Sequence, residues 1–207
     1  MTTSPLPLGE GWGEGVTAHL PPIHALWLGR LDYDTAHEMQ THERDRVIAG
    51  ESAGTLLLLE HEPVVTLGRR GDLGDLLVPR DALEARGIAV RETERGGRAT
   101  YHGPGQLVGY PIAPLSTLAP DVPTYVWRLE ETLICVARAV GVHAARRADA
   151  RGVWVGPAKL GFIGVAISRR VCWHGFSLNA GARPEAFDLI RSCGLDAPTT
   201  ADRKSVV

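Results

Sequence analysis

From Ala25 onward, short apolar runs alternate with amphipathic segments, and this alternation limits the folds that the chain can adopt. Leu56 to Leu59 and Val64 to Leu67 lie on either side of Glu62-Pro63, and their length suits buried strands joined by a bend. The 207 residues, 44% of them hydrophobic, show no repeat and no long linker. We therefore predict one domain of the α/β or α+β class, with mixed or antiparallel sheets flanked by helices.

Three later runs contain β-branched or aromatic residues: Val153 to Val155, Ile163 to Ile167 and Phe176 to Leu178. Turn-forming residues separate them, with Gly156-Pro157 after the first run and Ser168-Arg169-Arg170 after the second. Short strands with such turns between them are typical of antiparallel pairing. The pattern predicts an antiparallel meander.

The clearest helical pattern runs from Thr124 to Val140, with Thr124 as a suitable N-cap and Gly141 as a suitable stop. Weaker patterns predict a second helix from Asp34 to about Ile48 and a short third one from Pro184 to Ser192, with its proline in the first turn. In the first helix, the apolar residues that recur at steps of three and four are Val126, Leu129, Leu133, Val136 and Val140.

The charge and the N-terminus restrict the partners. A formal net charge of -2 provides no global field for a polyanion, which disfavours nucleic acid. The N-terminus lacks the pattern of a secretory signal, and no apolar run approaches membrane-spanning length. Residues 1–16 combine several Gly and Pro with few bulky apolar residues, so we expect a disordered tail there. The prediction is a cytoplasmic protein that binds no membrane.

Cys135, Cys172 and Cys193 are an odd number of cysteines without C-x-x-C spacing, which indicates neither a disulfide framework nor a zinc site. Cys172-Trp173-His174 has a spacing that could ligate a metal, but one pair does not make a site, so we expect no metal. Cys135 falls in the helical pattern and Cys172 in a predicted strand. We interpret both as structural.

Arg95 to Gln106 concentrates groups that hydrogen bond or titrate among four glycines and a proline. Glycines let backbone N–H groups approach a ligand closely, which favours a binding loop. A loop that merely turns the chain has the same composition. His102 by itself is more often a surface or core histidine.

Lys159 follows a Gly-Pro turn at the start of a predicted strand, where a lysine is usually solvated. A lysine desolvated beside a thiol could act as a base or as a thiolate partner. Cys193 follows the short third helical pattern, and a small buried hydrophobe is its commonest role. The negative pole at the end of a helix disfavours a thiolate, so activation of Cys193 requires a separate cation.

Taken together, these segments resemble the lipoyl(octanoyl) transferase family over roughly Leu28 to Thr200. The resemblance implies a fold like that of biotin and lipoate protein ligases, with a catalytic domain over residues 17–207. Ser192 stands where the family commonly has proline, and Ser177 where it commonly has alanine; neither departure removes a reacting group. The segments that carry the resemblance are Arg95 to Gly97, Thr100 to Pro111, Lys159, His174 to Asn179, Cys193-Gly194, Leu28-Gly29, Tyr33, Leu67 to Arg69 and Tyr125 to Ile134.

The resemblance also implies the roles of individual residues. Cys193 would accept the acyl group, Lys159 would lower the pKa of its thiol, and His102 would position the thioester or assist proton transfer. No cofactor is implied. The family's substrate-binding segments correspond to Arg95, Gly96, Gly97, Arg98, Ala99, Thr100, Tyr101, His102, Phe162, Ile163, Gly164, Gly175, Phe176 and Ser177.

From this resemblance we expect an enzyme that moves an octanoyl or lipoyl group from acyl carrier protein to a lysine of lipoyl domains, an early step of protein lipoylation. The expected acceptors are lipoyl domains of 2-oxoacid dehydrogenase complexes and the glycine cleavage H protein. By charge sign alone, Arg69 and Arg95 are candidates to meet acidic surfaces of these partners. We expect a monomer.

Three alternatives stay open. An ATP-dependent lipoate or biotin protein ligase shares the Arg-Gly-Gly loop before a histidine, but Cys193-Gly194 has no purpose in that chemistry. A non-catalytic binder of acyl carriers or lipoyl domains need not keep both reacting residues. A cysteine hydrolase would release free octanoate in the absence of an acceptor protein.

Overall fold

The computed structural model describes residues 23–182 and 184–191, and the predicted tail over residues 1–16 lies outside them. Within the described residues the strands form a six-stranded sheet in the order β1-β2-β6-β9-β8-β7 and a three-stranded sheet in the order β4-β3-β5. The strands are β1 His24–Leu31, β2 Thr55–His61, β3 Val64–Leu67, β4 Ala89–Glu92, β5 Ala99–His102, β6 Gln106–Pro114, β7 Val153–Val155, β8 Ala158–Ser168 and β9 Val171–Asn179.

Helices flank both sheets. They are α1 Tyr33–Ile48, α2 Arg80–Glu84, α3 Leu115–Leu118 and α4 Val122–Ala139, with short 3₁₀ helices at Leu73–Asp75 and Pro184–Leu189. Both sheets are mixed, because β1 runs parallel to β2 and β3 runs parallel to β4 while the other pairs are antiparallel. The predicted class, a single α/β domain with mixed sheets flanked by helices, is confirmed.

The two apolar runs around Glu62-Pro63 are strands, as predicted, but they belong to different sheets. β2 pairs with β1 and β6, whereas β3 pairs with β4 and β5. The bend at the proline therefore carries the chain from one sheet to the other. This crossing places β5, which ends at His102, opposite the large sheet.

The predicted antiparallel meander is confirmed as β7, β8 and β9. Arg169 and Arg170 turn the chain between β8 and β9 with positive φ angles of 46° and 67°. Two successive residues of this kind match the right-handed twist of a tight hairpin. The hairpin aligns Phe162 with Ser177 across the two strands.

Helix α4 begins earlier than predicted. Its N-cap is Asp121, whose carboxylate accepts a 2.7 Å hydrogen bond from the backbone N–H of Thr124, so the assignment of Thr124 as N-cap is wrong. A carboxylate satisfies an unpaired N–H and also favours the positive helix end. The helix ends at Ala139, and Gly141 with φ +84° provides the predicted stop.

The predicted apolar stripe of α4 is only partly buried. Leu129 and Leu133 lie in the core, whereas Val136 and Val140 are 40% and 45% exposed. The buried side instead includes residues that the simple apolar pattern omitted: Tyr125, Glu130, Ile134 and Ala137.

The other two helix predictions differ at their ends. α1 starts at Tyr33 after an Asp32 cap, one residue before the predicted start, and its existence is confirmed. The predicted third helix is a 3₁₀ helix that ends at Leu189, and Ser192 lies outside the described residues. No helix in residues 23–182 and 184–191 combines the length and apolar character needed to cross a membrane.

Candidate active site

A narrow cavity of about 60 Å³ lies between the two sheets. One wall comes from the segment that leads into β5, and the other comes from β8 and β9. We call this cavity the slot. All of the predicted substrate-binding residues line it except Tyr101, whose ring packs against Phe187 at 5.7 Å. The slot is also lined by Tyr33, Tyr110, Lys159 and His174.

Lys159 is only 5% exposed, although a lysine after a turn is usually solvated. Its ammonium nitrogen lies 4.9 Å from the ring centre of Phe162 and 5.3 Å from that of Trp154. Aromatic faces attract a cation, so these rings hold the side chain at the wall of the slot. Phe162 in turn stacks on Phe187 at 5.1 Å, which joins the 3₁₀ helix to the same wall.

The position of Lys159 also depends on Gly152. A Cβ atom at residue 152 would lie 2.5 Å from Cε of Lys159, and Gly152 has φ +110°. Both its conformation and its lack of a side chain are therefore required there. The Gly152 N–H donates a 2.9 Å hydrogen bond to the buried carboxylate of Glu130 on α4, which also pairs with Arg146 at 3.2 Å.

His102 is buried and belongs to a hydrogen-bonded chain. Gln106 donates through Nε2 to Asn179 Oδ1 at 2.8 Å and to the Tyr101 carbonyl at 3.2 Å, so its Oε1 faces His102 Nδ1 at 2.5 Å. This arrangement assigns the proton to Nδ1 and the lone pair to Nε2. Burial, aided by the neighbouring His61, holds the pKa of His102 well below its usual range. The imidazole is therefore neutral at neutral pH.

Tyr110 and Tyr33 of the slot lining have buried polar partners behind them, His61 and Thr93. Tyr110 lies 2.7 Å from Nε2 of His61, and the Tyr33 hydroxyl donates to Thr93 Oγ1 at 2.7 Å. Burial lowers the pKa of His61 to about 4 and raises the pKa of Tyr110 well above its usual value. These groups are uncharged at neutral pH, so this end of the slot is polar without carrying net charge.

His174 combines burial with an unusual backbone. Its φ of 53° is rare for a residue with a side chain, and such outliers are concentrated at functional sites. Burial lowers the pKa of His174 to about 4. The nearby imidazole of His174, at 3.7 Å, and that of His37, at 3.1 Å, lower the pKa of Glu94 to about 2. One ligand atom from each of His37, Glu94 and His174 lies within 4.8 Å of the others, so this trio has the donor types of a metal site.

Arg95 has a different role from the one that its charge suggested. Its guanidinium is buried and donates to the carbonyl and hydroxyl of Thr66 on β3, with a further bond to the Gly96 carbonyl. The prediction that Arg95 meets an acidic partner surface is wrong, because the side chain instead anchors the glycine loop to the small sheet. Arg69 is exposed.

A second cavity of about 450 Å³ adjoins the slot. Its wall includes Arg70, Arg151 and Asp149, and we call it the outer cavity. Lys159 therefore lies where a narrow slot and a wider cavity meet. The two cavities share Gly96, Gly97, Arg98, Lys159, Ile163 and Gly164.

The structure thus brings His102, Lys159 and the glycine loop to one place, while Cys193 lies outside the described residues. Reasoning from the sequence missed Tyr33, Tyr110 and His174 as slot residues, although all three stood in segments that carried the resemblance. It also missed Gly152, because a single glycine has no sequence pattern that would predict its contact with Lys159.

A small slot with a buried lysine at its junction with a larger cavity has the features of a site for a small-molecule ligand. Among solved structures, the fold is similar to that of a T. acidophilum protein with bound lipoic acid, with a TM-score of 0.68, 16% identity, and 89% of this chain and 78% of that chain covered. It is also similar to a lipoate-protein ligase A bound with ATP, with a TM-score of 0.66, 15% identity, and 89% and 77% covered. These similarities establish the fold.

Sequence comparison is more specific. The family model of the lipoyl protein ligase A/B catalytic domain matches residues 32–206. The octanoyltransferase of Solibacter usitatus is 48% identical over 174 residues, covering 84% of this chain and 79% of that protein. The octanoyltransferase of Caldicellulosiruptor saccharolyticus is 40% identical over 175 residues, covering 84% and 74%. The chain belongs to the lipoyl protein ligase A/B catalytic domain family, and within it the protein is an acyltransferase.

Proposed function

We propose that the protein transfers an octanoyl group from acyl carrier protein to a lysine of lipoyl domains, through a thioester on Cys193. The observation that carries this proposal is the buried Lys159 at the junction of the slot and the outer cavity. Lipoyl domains of 2-oxoacid dehydrogenase complexes and the glycine cleavage H protein are the proposed acceptors. Use of this donor would place the reaction in the cytoplasm.

In the first half-reaction, Lys159 takes the proton of the Cys193 thiol and the thiolate attacks the carbonyl carbon of the donor thioester. The tetrahedral intermediate collapses with cleavage of the bond to the carrier sulfur, which leaves with the proton from Lys159. This exchange of one thioester for another is nearly isoenergetic. The acyl chain stays in the slot.

In the second half-reaction, the acceptor lysine amine attacks the acyl-enzyme and gives its proton to Lys159. The Cys193 sulfur leaves and is reprotonated, and an amide replaces the thioester. Aminolysis of a thioester is downhill, which drives the transfer. His102 is neutral, and the lone pair on its Nε2 can accept a hydrogen bond that orients the attacking group.

Intact-mass analysis with octanoyl-acyl carrier protein and no ATP tests the proposal. The wild-type chain should gain one octanoyl increment and lose it to an apo lipoyl domain. Cys193→Ala should gain none, whereas Cys135→Ala, which removes an exposed cysteine, should match wild type. An increment that persists in Cys193→Ala rejects the nucleophile. A strict requirement for ATP supports a ligase instead, and free octanoate without acceptor supports a hydrolase.

A further inference from the structure

The described residues make the outer cavity cationic. Its lining includes four cationic side chains, from Arg70, Arg98, Arg151 and Lys159, and one carboxylate, from Asp149. That carboxylate is engaged, because Arg147 contacts it at 2.6 Å. Arg98 is likewise paired with the buried Asp75 at 2.7 Å. Asp75 itself does not line the cavity.

Arg70 and Arg151 differ from Arg98. Both are exposed, and among residues 23–182 and 184–191 neither guanidinium has a hydrogen-bond or ion-pair partner. Their backbones are nevertheless held in place. The Arg70 N–H donates to the Gly97 carbonyl at 3.1 Å, and Gly152, which follows Arg151, is bonded to Glu130 at 2.9 Å. The cavity therefore presents two unpaired cations on anchored segments.

The position of the cavity limits what can occupy it. The slot is narrow enough for an acyl chain, and Lys159 marks the place where the thioester reacts in the proposed function. The other side of a donor thioester is the arm of the carrier, which must leave the reaction centre through a second opening. The outer cavity shares the wall formed by Gly96, Gly97 and Lys159 with the slot and provides that opening.

Charge distinguishes the two substrates. The arm of an acyl carrier protein is joined to its protein through a phosphodiester, which is an anion, whereas the acceptor offers a lysine ammonium. Arginine binds phosphate oxygens through its fork of N–H donors, and it repels an ammonium. Building on the proposed function, we propose that Arg70 and Arg151 form a subsite for the phosphate of the carrier arm.

Direct binding tests the subsite without depending on turnover. The probes are 4′-phosphopantetheine and pantetheine, which differ by the phosphate, titrated calorimetrically into the full chain. Wild type should bind the phosphorylated probe at least tenfold more tightly. In Arg70→Gln/Arg151→Gln this ratio should fall to about one, while Arg86→Gln, which changes an exposed arginine that does not line the cavity, should keep it. A ratio of about one in wild type, or an unchanged ratio in the double variant, overturns the proposal.

The same donors carrying an S-octanoyl group separate this inference from the proposed function. The double variant should raise KM for the phosphorylated donor about tenfold in formation of the acyl-enzyme, with little change for the donor without phosphate. If neither donor acylates wild type, the proposed function fails, and the binding ratio still decides the subsite. If the double variant instead impairs only the step with the lysine acceptor, the cavity serves the acceptor and the proposal is overturned.

Discussion

The two cavities that meet at Lys159 differ in volume and in charge. The slot has a volume of about 60 Å³ and is lined in part by neutral histidines and tyrosines, while the outer cavity has about 450 Å³ and two arginines without partners among the described residues. In the proposed function, an apolar chain and an anionic arm would therefore occupy separate places on either side of one buried amine. The difference suggests that the glycine loop acts as a divider and that Lys159 must be held accurately at its edge.

The largest expected effect comes from removing the amine that both cavities share. Lys159→Ala should slow formation of the acyl-enzyme about 10²- to 10⁴-fold, the range for loss of a positioned acid-base group, and should shift its pH profile upward. Rapid-quench intact-mass kinetics measures the rate. Arg138→Ala provides a control at an exposed cation on α4. A rate and pH profile equal to those of wild type would remove Lys159 from the mechanism.

The next effect concerns how Lys159 is held. Gly152→Ala places a Cβ atom 2.5 Å from Cε of Lys159 and 2.5 Å from the backbone oxygen of Gly161, so acylation should fall at least tenfold. Gly156→Ala is the control for the positive φ, because residue 156 has φ +56° with nothing within 4 Å of the added Cβ atom. Backbone strain of about 1–3 kcal/mol should destabilise both variants to unfolding, and the contact with Gly161 should destabilise Gly152→Ala further. Equal rate losses in the two variants would show that strain, rather than displacement of Lys159, is responsible.

The buried histidines near the slot should make stability depend on pH. Burial lowers the pKa of His61 and His174 to about 4, so the unfolded chain binds more protons than the folded chain between about pH 6.5 and 4. The free energy of unfolding should therefore fall as pH drops through this window, by about 1.4 kcal/mol per pH unit for each histidine. The stability that the ionised Glu94 contributes is lost only as the pH falls from about 4.5 to about 2.

Urea unfolding at pH 7.5 and pH 5.5 measures this dependence. His61→Gln should remove the contribution of one histidine to the pH dependence of the free energy of unfolding. His143→Gln, which changes an exposed residue, should leave this dependence as in wild type. Stability that rises on acidification would show that the buried histidines are not neutral in the folded protein.

The smallest effect lies inside the slot. Ser177 is 1% exposed, and its hydroxyl has no hydrogen-bond partner among the described residues. A buried hydroxyl without a partner costs the folded protein about 1–3 kcal/mol whether or not an acyl chain is bound. Ser177→Ala should therefore raise the free energy of unfolding, measured by urea unfolding, by up to about this amount, with KM for the octanoyl donor unchanged. A raised KM would mean that the hydroxyl contacts the substrate favourably, and Ser177→Cys would then show whether size alone matters.

The elements that the sequence predicted well are those set by local patterns. The meander of β7 to β9 and the existence of α1 follow from runs and turns a few residues apart. The errors arose where distant contacts decide. The face of α4 that becomes buried depends on which parts of the sheet pack against the helix. Val136 and Val140 therefore remain exposed, while Glu130 is buried.

The site shows the same division. The glycine loop and His102 could be recognised from their sequence segment, and the structure places them on the slot. The buried, uncharged state of His102 could not be predicted, because it depends on burial between the sheets and on His61, which lies on the other sheet. The anchoring of Arg95 to Thr66 was also hidden, since charge alone suggested a surface role.

From the sequence alone came the α/β class, the β7 to β9 meander, helices α1 and α4, and a set of candidate residues for acyl transfer. The folded chain shows that β2 and β3 belong to different sheets, that a slot lies between the two sheets, and that a second cavity lined by cationic side chains opens beside it. Strand pairing and desolvation join residues that lie far apart in the chain. Whether a lysine is buried or an arginine unpaired depends on neighbours that no local pattern specifies.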